Sequence, residues 1–155
     1  MSNAIVIYTD GAASGNPGPG GYGAVLMSGP HRKELSEGYR NTTNNRMELL
    51  AAIVALEAIK VENASVTIFS DSKYVIDSVE KGWLRNWLKT DFKGKKNKDL
   101  WLRFHKVYTK HKISFVWVKG HANVRENEVC DQLAVAASKQ KNLKVDSGYE
   151  SGLYN

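Results

Sequence analysis

The chain has 155 residues, enough for one domain with a core that needs neither metal nor disulfide support, and its 42% apolar and 25% charged residues argue against disorder. The one cysteine, Cys130, excludes an internal disulfide, and neither a signal peptide nor a bilayer-spanning run is visible, so we expect a cytoplasmic protein without membrane contact. The net charge of +6 at pH 7 favours an anionic partner.

The first half of the chain predicts three strands followed by a long helix. Residues 5–9 are apolar and β-branched, as in a central strand buried on both faces, and this strand ends at Asp10 and Gly11. A glycine-rich loop over 15–21 leads to a second strand over 22–27, and 33–39 forms a hairpin with it. The helix then covers 42–60, and its apolar centre predicts burial on more than one side.

The second half predicts two further strands, over 65–69 and 113–118, separated and followed by helices. The helices are predicted at about 72–80, 83–88, 100–110 and 127–141. Hairpin-connected strands followed by strands with crossover helices indicate an α/β fold with one five-stranded mixed sheet, three antiparallel strands and then two parallel. We expect a single domain over 1–145 and a polar C-terminal tail, 146–155, that is partly disordered.

The positive charge is confined to one segment. From Lys81 to Lys98 there are seven basic residues and one acidic residue, Asp91, so this segment carries the entire net charge. Four aromatic residues interleave with it: Trp83, Trp87, Phe92 and Trp101. We expect one or two of them to pack the segment onto the body and the basic residues to dock a polyanion.

Glu48 departs from the apolar pattern of the long helix, because it is an acidic residue on the same face as Ala51, Ala52 and Ala55. A capping box with Asn45 as N-cap is a local explanation. The other is a cation that Glu48 shares with further carboxylates. The helix by itself leaves both open.

Three other carboxylates are candidates for such a cluster. Asp10 ends the first strand, Asp71 follows the fourth, and Asp131 lies in the last helix. Each also has a local explanation as a turn residue, an N-cap or a first-turn acid. If the four converge, their oxygen ligands suit Mg²⁺ or Mn²⁺, and two such ions could support in-line phosphoryl displacement.

Several ordered motifs carry a resemblance to a known family. They are YTDGAASGNPGPGGYG at 8–23, TTNNRME at 42–48, SDS at 70–72, WVKGHA at 117–122, ENE at 126–128 and CD at 130–131. Together they resemble the bacterial ribonuclease HI family, the type 1 ribonucleases H, over nearly the whole chain.

The resemblance implies a ribonuclease H-like fold and endonucleolytic hydrolysis of the RNA strand of RNA–DNA hybrids, leaving 5′-phosphate and 3′-hydroxyl ends. It implies Mg²⁺ as cofactor, with Mn²⁺ as a substitute and two ions in the substrate complex. The metal-binding catalytic carboxylates would be Asp10, Glu48, Asp71 and Asp131. His121 would assist proton transfer or product departure, as suits a group that titrates near neutrality.

The same resemblance implies the residues that hold the hybrid. Those around the scissile site would be Gly11, Asn16, Asn44 and Asn45, while Thr43 would hold a DNA phosphate. Residues 81–101 would be the family's basic handle, which grips the DNA strand through Trp83, Lys95, Lys96 and Lys98. Lys73 stands where a glutamine that contacts nucleic acid is common, and Ala13 where cysteine is common. Arg46 and Lys119 are weaker candidates for hybrid contact.

Two alternatives remain, one another enzyme of the same fold and the other a protein without catalytic activity. Another nuclease or strand-transferase of the same fold would show fewer of these motifs and would lack the glycine-rich hairpin together with the handle. A non-catalytic hybrid-binding module would be expected to have lost a carboxylate, and none of the four is missing. We expect a monomer, since no interface patch is evident in the sequence.

Overall fold

The computed structural model describes residues 4–119 and 124–155, which contain a five-stranded sheet in the order β3-β2-β1-β4-β5. The strands are β1 (Ala4–Ala13), β2 (Gly18–Ser28), β3 (His31–Thr42), β4 (Ser65–Ser70) and β5 (Lys112–Trp117). β2 pairs antiparallel with β1 and β3, whereas β4 pairs parallel with β1 and β5. The predicted mixed sheet is confirmed.

The helices also follow the predicted order. They are α1 (Asn44–Glu57), α2 (Lys73–Glu80), α3 (Trp83–Lys89), α4 (Lys98–Tyr108), α5 (Arg125–Ser138) and a short α6 (Ser147–Glu150). α1 packs between the sheet and α4, and α5 packs against β1, β2 and β3. Among the described residues, none of the helices has the length and apolar character needed to traverse a bilayer.

The core is built around α1, as its sequence predicts. Met47, Leu49, Ala51, Ile53 and Ala55 are all fully buried, because sheet and α4 cover the helix on different sides. The predicted N-cap is wrong, however. Thr43 caps the helix, and its Oγ1 accepts a hydrogen bond from the backbone N–H of Arg46 at 3.2 Å.

The predicted end of the first strand is also wrong. β1 continues past Thr9 to Ala13 because its polar and small residues pair with the glycine-rich start of β2. Asp10 therefore lies within the sheet, opposite Gly23, rather than at a strand end. The loop between the two strands shrinks to residues 14–17.

The tail is held on the body rather than partly disordered. Asp146 is 8% exposed and accepts hydrogen bonds from the Arg46 guanidinium and from the Thr42 hydroxyl. The backbone N–H of Asn97 donates to the carbonyl of Tyr154 at 2.5 Å. The tail is thus tied to α1 at one end and to the handle at the other.

Candidate active site

Three of the four predicted carboxylates converge. Asp10, Glu48 and Asp71 each place a carboxylate oxygen within 4.8 Å of the others. Asp131 lies outside that cluster but lines the same cleft, whose volume is about 400 Å³. We call this cleft the carboxylate cleft.

The register of the sheet explains the convergence of the two aspartates. β1 and β4 run parallel with Tyr8 paired to Phe69, so Asp10 and Asp71 lie at the same level two residues further along. Asp71 follows the last residue of β4. Both side chains therefore lie just beyond the point where the parallel pairing of β1 with β4 ends, as expected for a ligand site of an α/β sheet.

Gly11 allows Glu48 to approach this pair. A Cβ at Gly11 would lie 2.4 Å from the backbone N of Glu48, so only glycine permits this contact between β1 and the first turn of α1. The N–H of Gly11 donates to Asp10 Oδ1 at 2.9 Å and to Glu48 Oε1 at 2.5 Å. The Glu48 carboxylate is therefore bonded to β1, and the capping box with Asn45, one of the two explanations offered for it, is not formed.

A second close approach brings Asp131 to the cleft. A Cβ at Gly23, the partner of Asp10 across the ladder, would lie 2.3 Å from the carbonyl O of Cys130. Gly21 and Gly38 meet α5 in the same way, at the carbonyls of Ala134 and Ala137. These glycines of β2 and β3 therefore form the surface on which α5 packs, and Asp131 follows Cys130 on that helix.

Burial and mutual repulsion raise the pKa values of two carboxyl groups in the cluster. Burial raises the pKa of Asp10 to about 7; its hydrogen bonds with Glu48 and Gly11 oppose the shift, and the charges of Asp71 and Asp131 add to it. Burial, followed by the charge of Asp10, holds the pKa of Glu48 well above its ordinary value. A cation at these oxygens would relieve both effects.

The donor set fits a hard divalent cation. It consists of carboxylate oxygens alone, without thiolate or imidazole among the described cleft residues, which suits Mg²⁺ or Mn²⁺ rather than zinc. Asp10 and Glu48 are 7% and 5% exposed, and two buried carboxylates in contact call for a neutralising partner.

Three of the four residues predicted to surround the scissile site, Gly11, Asn44 and Asn45, line this cleft, while Asn16 does not. Lys73, the other predicted nucleic-acid contact nearby, also lines it. The backbone N–H of Asn44 donates to Asn16 Oδ1 at 2.8 Å, which ties the β1–β2 loop to the start of α1. Lys73 is exposed, and its Nζ lies 4.7 Å from the ring centroid of Trp117.

A larger groove of about 700 Å³ continues from the carboxylate cleft, and Asn45 lines both. We call it the handle groove; its lining includes Asn16, Thr43, Asn45, Trp83, Lys95 and Lys96, all predicted hybrid-binding residues. The structure brings these six side chains to one surface. Lys98 is not among the lining residues, and it pairs with Asp91 at 2.8 Å inside the handle.

Three of the four aromatic residues of the handle pack in the core, one more than the one or two predicted. Trp101 and Phe92 are buried, and the Trp87 ring lies 5.9 Å from Trp101 and 6.2 Å from Phe92, so these rings fix the handle to the core. Trp83 is 42% exposed and faces the handle groove.

Arg46 is wrong as a candidate for hybrid contact. It is 1% exposed and bonded bidentately to both Asp99 and Asp146. Burial acts to lower the pKa of Arg46, but the two carboxylates hold it above its ordinary value. Its role is to join α1, α4 and the tail.

His121 lies outside the described residues, so its predicted role stays a prediction. Lys119 is described and exposed, and it lines neither cleft. The sequence reasoning missed Tyr149 and Tyr154, which line the handle groove from the tail. The sequence feature that could have indicated them is the presence of two tyrosines in an otherwise polar C-terminal segment.

The comparisons with known proteins agree with this geometry. Residues 2–139 match the family described as RNase H. A protein of Desulforamulus reducens named Ribonuclease H is 56% identical over 147 residues, covering 92% of each chain. One of Rippkaea orientalis with the same name is 53% identical over 152 residues, covering 95% of this chain and 93% of the relative.

Solved structures resemble the fold as well. LC9-RNase H1, described as a type 1 RNase H with the type 2 active-site motif, gives a TM-score of 0.79 at 30% identity, covering all of this chain and 82% of that one. LC11-RNase H1 in complex with an RNA/DNA hybrid gives a TM-score of 0.66 at 27% identity, covering 86% of this chain and 95% of that one.

Proposed function

The chain belongs to the RNase H family, and we propose that it cleaves the RNA strand of RNA–DNA hybrids with divalent cations held by Asp10, Glu48, Asp71 and Asp131. The observation that carries this proposal is the convergence of three carboxylates in a cleft that opens into a basic, aromatic groove. The reaction adds water to phosphorus and breaks the bond to the 3′-oxygen, which leaves 5′-phosphate and 3′-hydroxyl ends.

The cofactor of the proposal is Mg²⁺, with Mn²⁺ as a substitute and two ions in the substrate complex. Such ions would supply Lewis-acid stabilisation of the phosphoryl oxygens and a more acidic bound water. Asp10 and Glu48 hold their oxygens in place through the shared Gly11 N–H, and Asp71 and Asp131 complete the rim of the cleft.

The hybrid would be held by residues on both sides of the cleft. Asn44, Asn45 and the loop at Asn16 form one connected ridge beside the carboxylates, suited to hydrogen bonds with the hybrid near the scissile phosphate. Thr43, Lys95 and Lys96 line the handle groove, where a hydroxyl and two cations suit the phosphates of the DNA strand. His121 is proposed for proton transfer or product departure on the family resemblance alone.

We further propose a monomer in the cytoplasm. One chain supplies the three clustered carboxylates and the groove beside them, so the proposed site needs no second copy. The lone cysteine is buried beneath the sheet and suits a reducing compartment.

The proposal is tested by incubating the protein with end-labelled RNA–DNA hybrid, RNA duplex and DNA duplex, each with Mg²⁺ and with EDTA. The expected result is endonucleolytic cleavage of the RNA strand of the hybrid alone, in Mg²⁺ alone, with 5′-phosphate ends on the downstream fragments. Cleavage that persists in EDTA would contradict the metal site. Tight hybrid binding without cleavage in Mg²⁺ would identify a binding module instead.

A further inference from the structure

The C-terminal tail forms one wall of the handle groove. Tyr149 and Tyr154 line the groove, and their rings stack with centroids 4.8 Å apart. The Nζ of Lys96 lies 5.9 Å from the centroid of the Tyr154 ring. An aromatic surface and a handle lysine thus meet at one point of the groove.

The main chain of the tail fixes this wall. The carbonyl of Tyr154 accepts from the N–H of Asn97, and its own N–H donates to the carbonyl of Gly148 at 3.0 Å. Asp146, at the start of the tail, is bonded to the buried Arg46. The position of the Tyr154 backbone therefore does not depend on the Tyr154 ring.

The chemistry of the groove indicates what lies against this wall. Trp83 on the handle and Tyr154 on the tail supply apolar ring faces, while Lys95 and Lys96 supply exposed positive charge. Rings that alternate with cations are suited to a nucleic-acid strand, whose sugars and bases pack on the rings while its phosphates pair with the lysines. The tail lies beyond residues 2–139, the part that matches the family.

We infer that Tyr154 is a further substrate-contacting residue, which packs against the DNA strand of the hybrid where that strand passes through the handle groove. The inference rests on the proposed function, because it assigns the DNA strand to this groove. It adds the tail to the surface that positions the hybrid over the carboxylate cleft.

The test compares steady-state cleavage by the full chain and by Tyr154→Ala on hybrids whose DNA strand is shortened stepwise from each end. On the longest hybrid we expect Tyr154→Ala to raise KM about fivefold with kcat unchanged, since one aromatic packing contact with the strand is lost. The difference should vanish once the DNA strand is too short to reach the groove. Tyr154→Phe, which keeps the ring, should restore the KM of the unmodified chain.

Leu153→Ala is the matched control, because Leu153 is 64% exposed on the same tail and does not line the groove. It should leave KM unchanged on every hybrid. An equal rise in KM on long and short hybrids would reduce Tyr154 to a structural role and overturn the inference, as would an unchanged KM on the longest hybrid. Failure of the unmodified chain to cleave any hybrid would instead overturn the proposed function on which the inference rests.

Discussion

The N–H of Gly11 is shared by two carboxylates, Asp10 and Glu48, that are themselves almost fully buried. Without a cation this arrangement opposes folding, because burial and like charges disfavour the ionised forms. The helix sequence left a capping box and a shared cation both open for Glu48, because the local spacing contains no information about Gly11, 37 residues away. Arg46 was misjudged for the same reason, since its partners Asp99 and Asp146 are distant in the chain.

Asp10 makes the stability of the metal-free protein depend on pH. Burial raises the pKa of Asp10 from its ordinary value of 3.8 to about 7, so between these values the unfolded chain loses a proton that the folded chain retains, and ionisation favours unfolding. The free energy of unfolding in EDTA should fall as pH rises from about 4 and level off above pH 7, by at most about 4 kcal/mol from this group. Thermal unfolding of Asp10→Asn in EDTA should show a higher Tm than the unmodified chain at pH 8, and the gain should shrink towards pH 4. A lower Tm at pH 8 would contradict the electrostatic account.

At the level of elements, the glycines of β2 determine where α5 sits. Composition indicated a flexible glycine-rich loop, but the absence of side chains at Gly21 and Gly23 allows the backbone of α5 to lie directly on the strand. The sequence predicted the strands, the longer helices and their order, because hydrophobic periodicity depends only on residues that are near one another in the chain. It could not predict this contact, which joins residues more than 100 positions apart and places Asp131 at the cleft.

Gly23→Ala should therefore affect both stability and catalysis. The added Cβ meets the carbonyl of Cys130 and the Cβ of Leu133, so we expect a loss of about 1–3 kcal/mol in unfolding free energy and a lower kcat as Asp131 moves away. Gly29→Ala is the control: Gly29 has a φ of +58° and open space around it, so alanine costs about 1–2 kcal/mol there without moving α5. Denaturant unfolding and hybrid cleavage measure the two effects. Equal kcat values for both variants would contradict the claim that Gly23 positions α5 and Asp131.

For the molecule as a whole, the positive charge lies beside the negative cleft. The sequence located the charge correctly, because seven basic residues between 81 and 98 have one acidic neighbour among them. It did not show how the handle is attached. The Asn97 amide and the Trp101 indole N–H both donate to the Tyr74 hydroxyl on α2, and the backbone N–H of Asn97 donates to the carbonyl of Tyr154 in the tail. The result is one surface that runs from the handle groove to the carboxylates.

Charge reversal at Lys95 and Lys96 should weaken hybrid binding through this surface. The double change to Glu should raise KM, and the slope of log KM against log salt should fall by about two, since each phosphate contact contributes about one. Lys106→Glu with Lys110→Glu makes the same change in net charge at exposed positions that line neither cleft nor groove. That control should alter KM and its salt slope far less. Equal effects of the two double variants would indicate attraction by net charge rather than docking at the handle.

The central claim is that buried carboxylates of α1 and the sheet hold the cations needed for RNA cleavage. Glu48→Gln tests this claim most directly. Its matched control is Glu57→Gln at the other end of α1, where Glu57 bonds Arg103 on the surface. The measurement is the single-turnover rate of hybrid cleavage as a function of Mg²⁺. We predict that Glu48→Gln binds the hybrid but loses at least about 100-fold in rate at saturating Mg²⁺, while Glu57→Gln cleaves normally. Cleavage by Glu48→Gln at the unmodified rate and Mg²⁺ dependence would contradict the claim.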